Sequence, residues 1–112
     1  MNRRILTYGK YFKEFYASLT EKQKDKIVYA LMLLKKEHVL SKKFIKHLRE
    51  ELFELRVECE SNIFRVFFIF DEGNIVVLFN GFQKKSQKTP RKEINKALKL
   101  KEAYYEDKRT AR

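Results

Sequence analysis

Two stretches of nearly unbroken apolar residues, 63–70 (IFRVFFIF) and 74–82 (NIVVLFNGF), dominate the chain. Continuity without alternation predicts central strands covered on both faces. The preceding stretch, 51–59, alternates: Phe53, Leu55, Val57 and Cys59 point one way, and Glu54, Arg56 and Glu58 the other. Asp71-Glu72-Gly73-Asn74 is a tight-turn sequence, and Glu60-Ser61 fits a two-residue loop. With Glu60-Ser61 as the loop, Val57 faces Phe64 and Arg56 faces Arg65. With Glu72-Gly73 as the next loop, Val66 faces Phe79 and Arg65 faces Asn80. Cross-strand partners share a face. One face then carries Phe53, Leu55, Val57, Phe64, Val66, Phe68, Val77 and Phe79, the expected core beneath helices. The other carries Glu54, Arg56, Glu58, Arg65, Phe67, Leu78, Asn80 and Phe82.

The first half reads differently. RRILTY, residues 3–8, can form a short strand that Gly9 ends. Phe12, Phe15, Tyr16 and Leu19 recur at helical spacing, and 18–20 breaks that helix. Thr20-Glu21-Lys22-Gln23 has the form of a capping box, which starts a second helix running to about Glu37 with Ile27, Leu31 and Leu34 buried. Residues 39–49 are a basic connection with room for one helical turn. After the sheet, Thr89 suits an N-cap and Pro90 the first helical position. The last helix is predicted from Pro90 to about Glu106, with 107–112 frayed. The whole of 1–112 forms a single domain.

Charge sharpens this picture. The chain carries a net +11, yet residues 51–82 hold six acidic side chains and two basic ones, Arg56 and Arg65. Its positive charge therefore flanks an acidic middle, and a field of that sign attracts polyanions or an acidic protein. One cysteine, Cys59, excludes an intramolecular disulfide and reads as a small core residue. His38 and His47 are too few for a zinc site, and His47 reads as a surface residue. No metal or cofactor is expected. No run reaches the roughly 18 apolar residues of a membrane span, and no signal peptide is evident, so a cytoplasmic protein without membrane association is expected.

Two arginines on one sheet face, with Asn80 and Phe82 beside them, form a plausible phosphate-and-base surface. Lys84 and Lys85 follow it at once, and Lys88 lies just beyond. A guanidinium fork matches phosphate oxygens. RNA cleavage by the substrate's own 2′-hydroxyl needs fixed charge on the phosphorane and a proton for the leaving 5′-oxygen. A lysine can move that proton if neighbouring cations lower its pKa, and Lys84 beside Lys85, Arg56 and Arg65 is such a crowd. Glu54 and Glu58 are alternative bases. Against these readings, Arg56 can be one rung of a surface ion-pair ladder, and the lysines a solvated loop.

The order strand, helical hairpin, three antiparallel strands, cationic loop and helix resembles the RelE/ParE-type toxin fold. LFELRVE, NIFRVFFIFDEGNIVVLFNGFQKKSQKTP and RKEINKA together are similar to its phage Gp49-like branch, often grouped with HigB toxins. The resemblance implies an α+β fold: a short strand and helical hairpin packed on an antiparallel sheet of about four strands, with a C-terminal helix. It implies a toxin of a type II toxin–antitoxin system, a metal-independent, ribosome-dependent mRNA endoribonuclease that inhibits translation. Arg65 would then sit at the scissile phosphate, with Lys84 and Lys85 catalytic and Arg56, Asn80, Phe82 and Lys88 on RNA. Implied partners are a helix-turn-helix, HigA-like antitoxin, the ribosome and its mRNA, and operator DNA through the antitoxin complex. Several relatives use a late histidine or tyrosine as acid or base, a place where this sheet has Phe79 and Phe82; Tyr104 and Tyr105 lie further on, in the last helix. Two other functions fit the same residues: a non-enzymatic, ParE-like gyrase inhibitor and a plain nucleic-acid-binding module. The lysines of the second helix (Lys22, Lys24, Lys26, Lys35 and Lys36) form an expected antitoxin-docking surface separate from the Arg56/Arg65 face.

Overall fold

The computed structural model describes residues 2–36, 41–85 and 90–111. Among them the order is β1 (Arg4–Thr7), α1 (Tyr11–Ala17), α2 (Glu21–Lys36), β2 (Ile45–His47), β3 (Phe53–Cys59), β4 (Asn62–Asp71), β5 (Ile75–Lys84) and α3 (Arg91–Thr110). The five strands make one sheet in the order β1-β5-β4-β3-β2. β1 runs parallel to β5, and the other neighbours are antiparallel. The fold is α+β, as expected, but the sheet has one more strand and is mixed instead of antiparallel, because β1 joins it parallel to β5. The additional strand is β2, inside the predicted basic connection. It is too short to show a period, and pairing with β3 defines it.

Local chemistry sets several boundaries. The backbone N–H of Gln23 donates to Thr20 Oγ1 at 3.2 Å, and that of Thr20 donates to Gln23 Oε1 at 3.0 Å. This is the predicted capping box, and it starts α2. Ile27, Ala30 and Leu34 are its buried residues, while Leu31 is half-buried. α3 continues to Thr110 instead of ending near Glu106, with Pro90 at its N-cap; Thr89 lies outside the described residues.

The sheet separates two cores. α1 and α2 cover a cluster that includes Phe12, Ile27, Leu34, Leu55, Phe64, Val66, Phe68 and Leu78, with Cys59 also buried there. α3 covers Leu52, Phe67, Ile69, Val77, Phe79 and Ala97 on the other side. Burying each large side chain is worth about 1.5–3 kcal/mol. The predicted face holds for β3 and β4 but not for β5, where Val77 and Phe79 lie under α3 and Leu78 under the helical hairpin. The cause is the β4–β5 loop. Asp71 pairs with Ile75, so the loop is Glu72-Gly73-Asn74, one residue longer than expected. A one-residue change in register turns every side chain to the opposite face.

The C-terminal helix is tied to the far end of this hairpin. Tyr104 donates its hydroxyl hydrogen bond to Asp71, and Lys108 Nζ lies 2.8 Å from the same carboxylate. Burial pushes the Asp71 pKa up, but the bonds from Lys108 and Tyr104 outweigh it and hold the carboxyl below its ordinary value. A carboxylate with a depressed pKa stabilises the fold above its unfolded-state pKa, and the benefit is lost as pH falls through the lower folded value. Asp71→Asn is therefore expected to cost about 1–3 kcal/mol at neutral pH. The gap from wild type should narrow in acid, which urea melts at a series of pH values will measure.

Candidate active site

The β3–β4 hairpin positions the arginines. Glu60 (φ 48°) and Ser61 (φ 72°) both adopt the left-handed conformation in a two-residue loop, the geometry whose twist matches paired strands. Val57 then pairs with Phe64 and Arg56 with Arg65, as the sequence predicts.

A bulge positions the lysine. The β4–β5 register shifts between Val66 and Phe68, so that Phe79 and Asn80 together oppose Phe67. Beyond it Arg65 pairs with Phe82 and Ile63 with Lys84. These pairings correct the predicted partners, Asn80 for Arg65 and Phe79 for Val66. The inserted residue reverses the parity change made by the longer loop. Phe82 and Lys84 are thereby returned to the arginines' face. Gly81, opposite Val66, is pressed by Phe15: a Cβ there would stand 2.5 Å from the ring.

Arg65 is only 3% exposed and forms an ion pair with Glu54, itself 1% exposed. Burial lowers the Arg65 pKa, opposed by the Glu54 charge, and a guanidinium so placed remains a cation. The pairing removes Glu54 from the candidate bases. Among the described residues Arg56 makes no ion pair; half-buried, it faces a cleft of about 450 Å³ at the sheet edge. Arg65, Lys84 and Glu58 line the same cleft. Burial lowers the Lys84 pKa first, and the charges of Arg65, Arg56 and Lys46 lower it further, against Glu54.

Other predicted residues are placed differently. Asn80 is 2% exposed and donates to the Glu93 carbonyl and carboxylate of α3 at 3.2 Å, a position closed to a nucleic acid. Phe82 is half-buried and stacks on Phe67, 5.6 Å between centroids. Lys85 is exposed just past β5, and Lys88 lies outside the described residues. Tyr104 and Tyr105 are at the opposite end of the hairpin: Asp71, which holds Tyr104, is ~20 Å along β4 from Arg65.

Four charged or aromatic cleft residues escaped the sequence reading of the site: Lys26 and Tyr29 from α2, and Lys43 and Phe44 just before β2. Tyr29 is 61% exposed, off the buried stripe of α2, and an aromatic in that position was the one legible signal. Lys26 also corrects the expectation that the α2 lysines lie apart from the arginine face: it lines the same cleft.

A helical hairpin on one face of a mixed sheet, a helix on the other and a cationic cleft at the edge are compatible with a RelE-like protein. Residues 14–102 match the family model described as phage-derived protein Gp49-like (DUF891), a RelE-like toxin family. The chain belongs to this family, which is associated with the toxins of toxin–antitoxin systems. Membership implies an antitoxin as partner. No curated protein matches the chain. Among the described residues no helix is long and apolar enough to cross a membrane.

Proposed function

We propose that this protein is a toxin of the HigB-like branch, a ribosome-dependent endoribonuclease that cuts mRNA in the cytoplasm and is held inactive by a HigA-like helix-turn-helix antitoxin, the complex also binding operator DNA. The observation that carries this reading is the convergence of Lys26, Lys43, Arg56, Arg65 and Lys84 on one cleft that, among the described residues, is lined by a single carboxylate, Glu58. Such a site binds a phosphodiester strongly.

Side chains alone can carry the reaction. The 2′-hydroxyl attacks its own phosphate, and the 5′-oxygen leaves with a proton. Arg56 contacts the phosphate and stabilises the phosphorane charge. Arg65 adds a fixed positive field from behind, its orientation held by Glu54. Lys84, with a lowered pKa, supplies the leaving-group proton, and Glu58 is the carboxylate available to accept one from the 2′-hydroxyl. Tyr29 and Phe44 flank the cleft as stacking surfaces for bases. Lys85 adds affinity for the strand.

Arg56→Ala tests the assignment with little risk to the fold. Primer extension on cellular mRNA after brief induction should show new in-frame breaks for wild type. In a purified ribosome assay the variant should cut about 10²–10³-fold more slowly. Wild type that arrests growth without any mRNA breaks would place the activity outside RNA cleavage.

A further inference from the structure

A second cationic cleft, of about 340 Å³, lies between the outermost strand and the first turns of α3. Lys46, Arg49 and Arg91 line it, with Leu48 and Ile94 at its floor. Two carboxylates stand at its rim: Glu50 is 3.9 Å from Arg49 Nε and Glu51 is 3.9 Å from His47 Nε2. Arg49 also donates to Asn95 Oδ1 at 3.2 Å, which orients its guanidinium. Lys46 lies on β2, Arg49 in the segment just after it and Arg91 at the start of α3, and all three are exposed.

Lys46 connects this cleft to the candidate active site. It pairs with Glu54 in the sheet, so it shares the face of Arg56 and Arg65. It is also near enough to Lys84 to lower that amine's pKa. From Phe44, which lines the first cleft, to His47, which lines the second, the chain covers ~10 Å of extended backbone. Lys46 thus places a positive charge between the candidate active site and the cations at the start of α3.

We infer that this second cleft is a phosphodiester-binding subsite that holds the RNA backbone flanking the cleaved bond, with Lys46, Arg49 and Arg91 as its phosphate contacts. The inference rests on RNA being the ligand of the first cleft. Its chemistry is that of a backbone track: cations without a closed base pocket, which fix the strand's register and leave sequence unread.

The test is fluorescence anisotropy of the Arg49→Ala/Arg91→Ala protein, which leaves Lys46 and the first cleft intact, with two labelled oligouridylates, one short enough to fill only the first cleft and one that extends past it. The slope of log affinity against log salt for the long RNA should fall by about 1.4, the value for two lost phosphate contacts on a single strand. Binding of the short RNA should stay as in wild type, and so should the thermal melt, because both side chains are exposed. An unchanged slope for the long RNA, or an equal loss for both lengths, overturns the subsite. Ribosome-dependent cleavage is assayed separately on the same proteins. Absence of cleavage by wild type with the length-dependent slope intact would sink the proposed activity and leave the subsite standing.

Discussion

Arg65→Ala is expected to destabilise the protein by about 3–5 kcal/mol, because it breaks a buried ion pair by removing one of its two charges. Domains of this size have about 5–15 kcal/mol in total, so much of the loss of toxicity in this variant would come from unfolding. The expected result differs for a paired change. Glu54→Leu/Arg65→Met replaces both charges with apolar groups of similar bulk, and such swaps are often neutral or stabilising. The double variant should recover most of the melting temperature while cleavage stays lost, since the positive field behind the phosphate is gone. Urea melts of the single and double variants, with cleavage measured on the folded double variant, separate the two roles. A double variant that melts like Arg65→Ala would show that the pair's charge is not what makes the single change costly. One that cleaves at the wild-type rate would show that Arg65 is purely structural.

Lys84→Ala is expected to slow single-turnover cleavage by about 10²–10⁴-fold, the range for loss of a general acid or base. Lys84→Arg distinguishes a proton donor from a simple charge. Arginine keeps the cation but does not release its proton in this pH range, so binding should survive and the rate should not. The pH profile carries the sign. Burial and the neighbouring cations lower the Lys84 pKa, so an acid at this position is lost as pH rises through a value below that of an ordinary lysine. Wild-type cleavage should fall on that alkaline limb, and the limb should be missing from the residual activity of Lys84→Arg. A Lys84→Arg protein with wild-type rate and profile would make Lys84 an electrostatic contact only. Lys85→Ala, at an exposed position, should weaken RNA binding more than it slows the bound reaction.

Several features were decided within a few residues of sequence, where local chemistry leaves little choice. The capping box at Thr20 and Gln23 starts α2 because two side chains satisfy two free N–H groups. The Glu60-Ser61 loop sets Arg56 opposite Arg65, since a two-residue hairpin has one compatible register. The apolar runs of β4 and β5 announced a sheet covered on both sides, and two clusters are found there. The Gp49-like resemblance was legible in the sequence as well, and the family model matches residues 14–102.

What only the tertiary structure decided depends on counting residues across loops or on packing between distant segments. Strand period is two, so the longer β4–β5 loop inverted the reading of Val77, Leu78 and Phe79, and the bulge at Asn80 then restored it for Phe82 and Lys84. Neither shift has a sequence signal of its own. β2 is three residues long and exists as a strand through its pairing with β3. Arg65 looked like a free cation because its partner Glu54 is eleven positions earlier and becomes a diagonal neighbour only across the hairpin. Asn80 looked available until α3, more than ten residues later, folded over it and accepted its hydrogen bonds. Lys26 and Tyr29 reach the cleft because α2 packs beside β3, a contact set by the buried faces of both elements and by no local pattern in either.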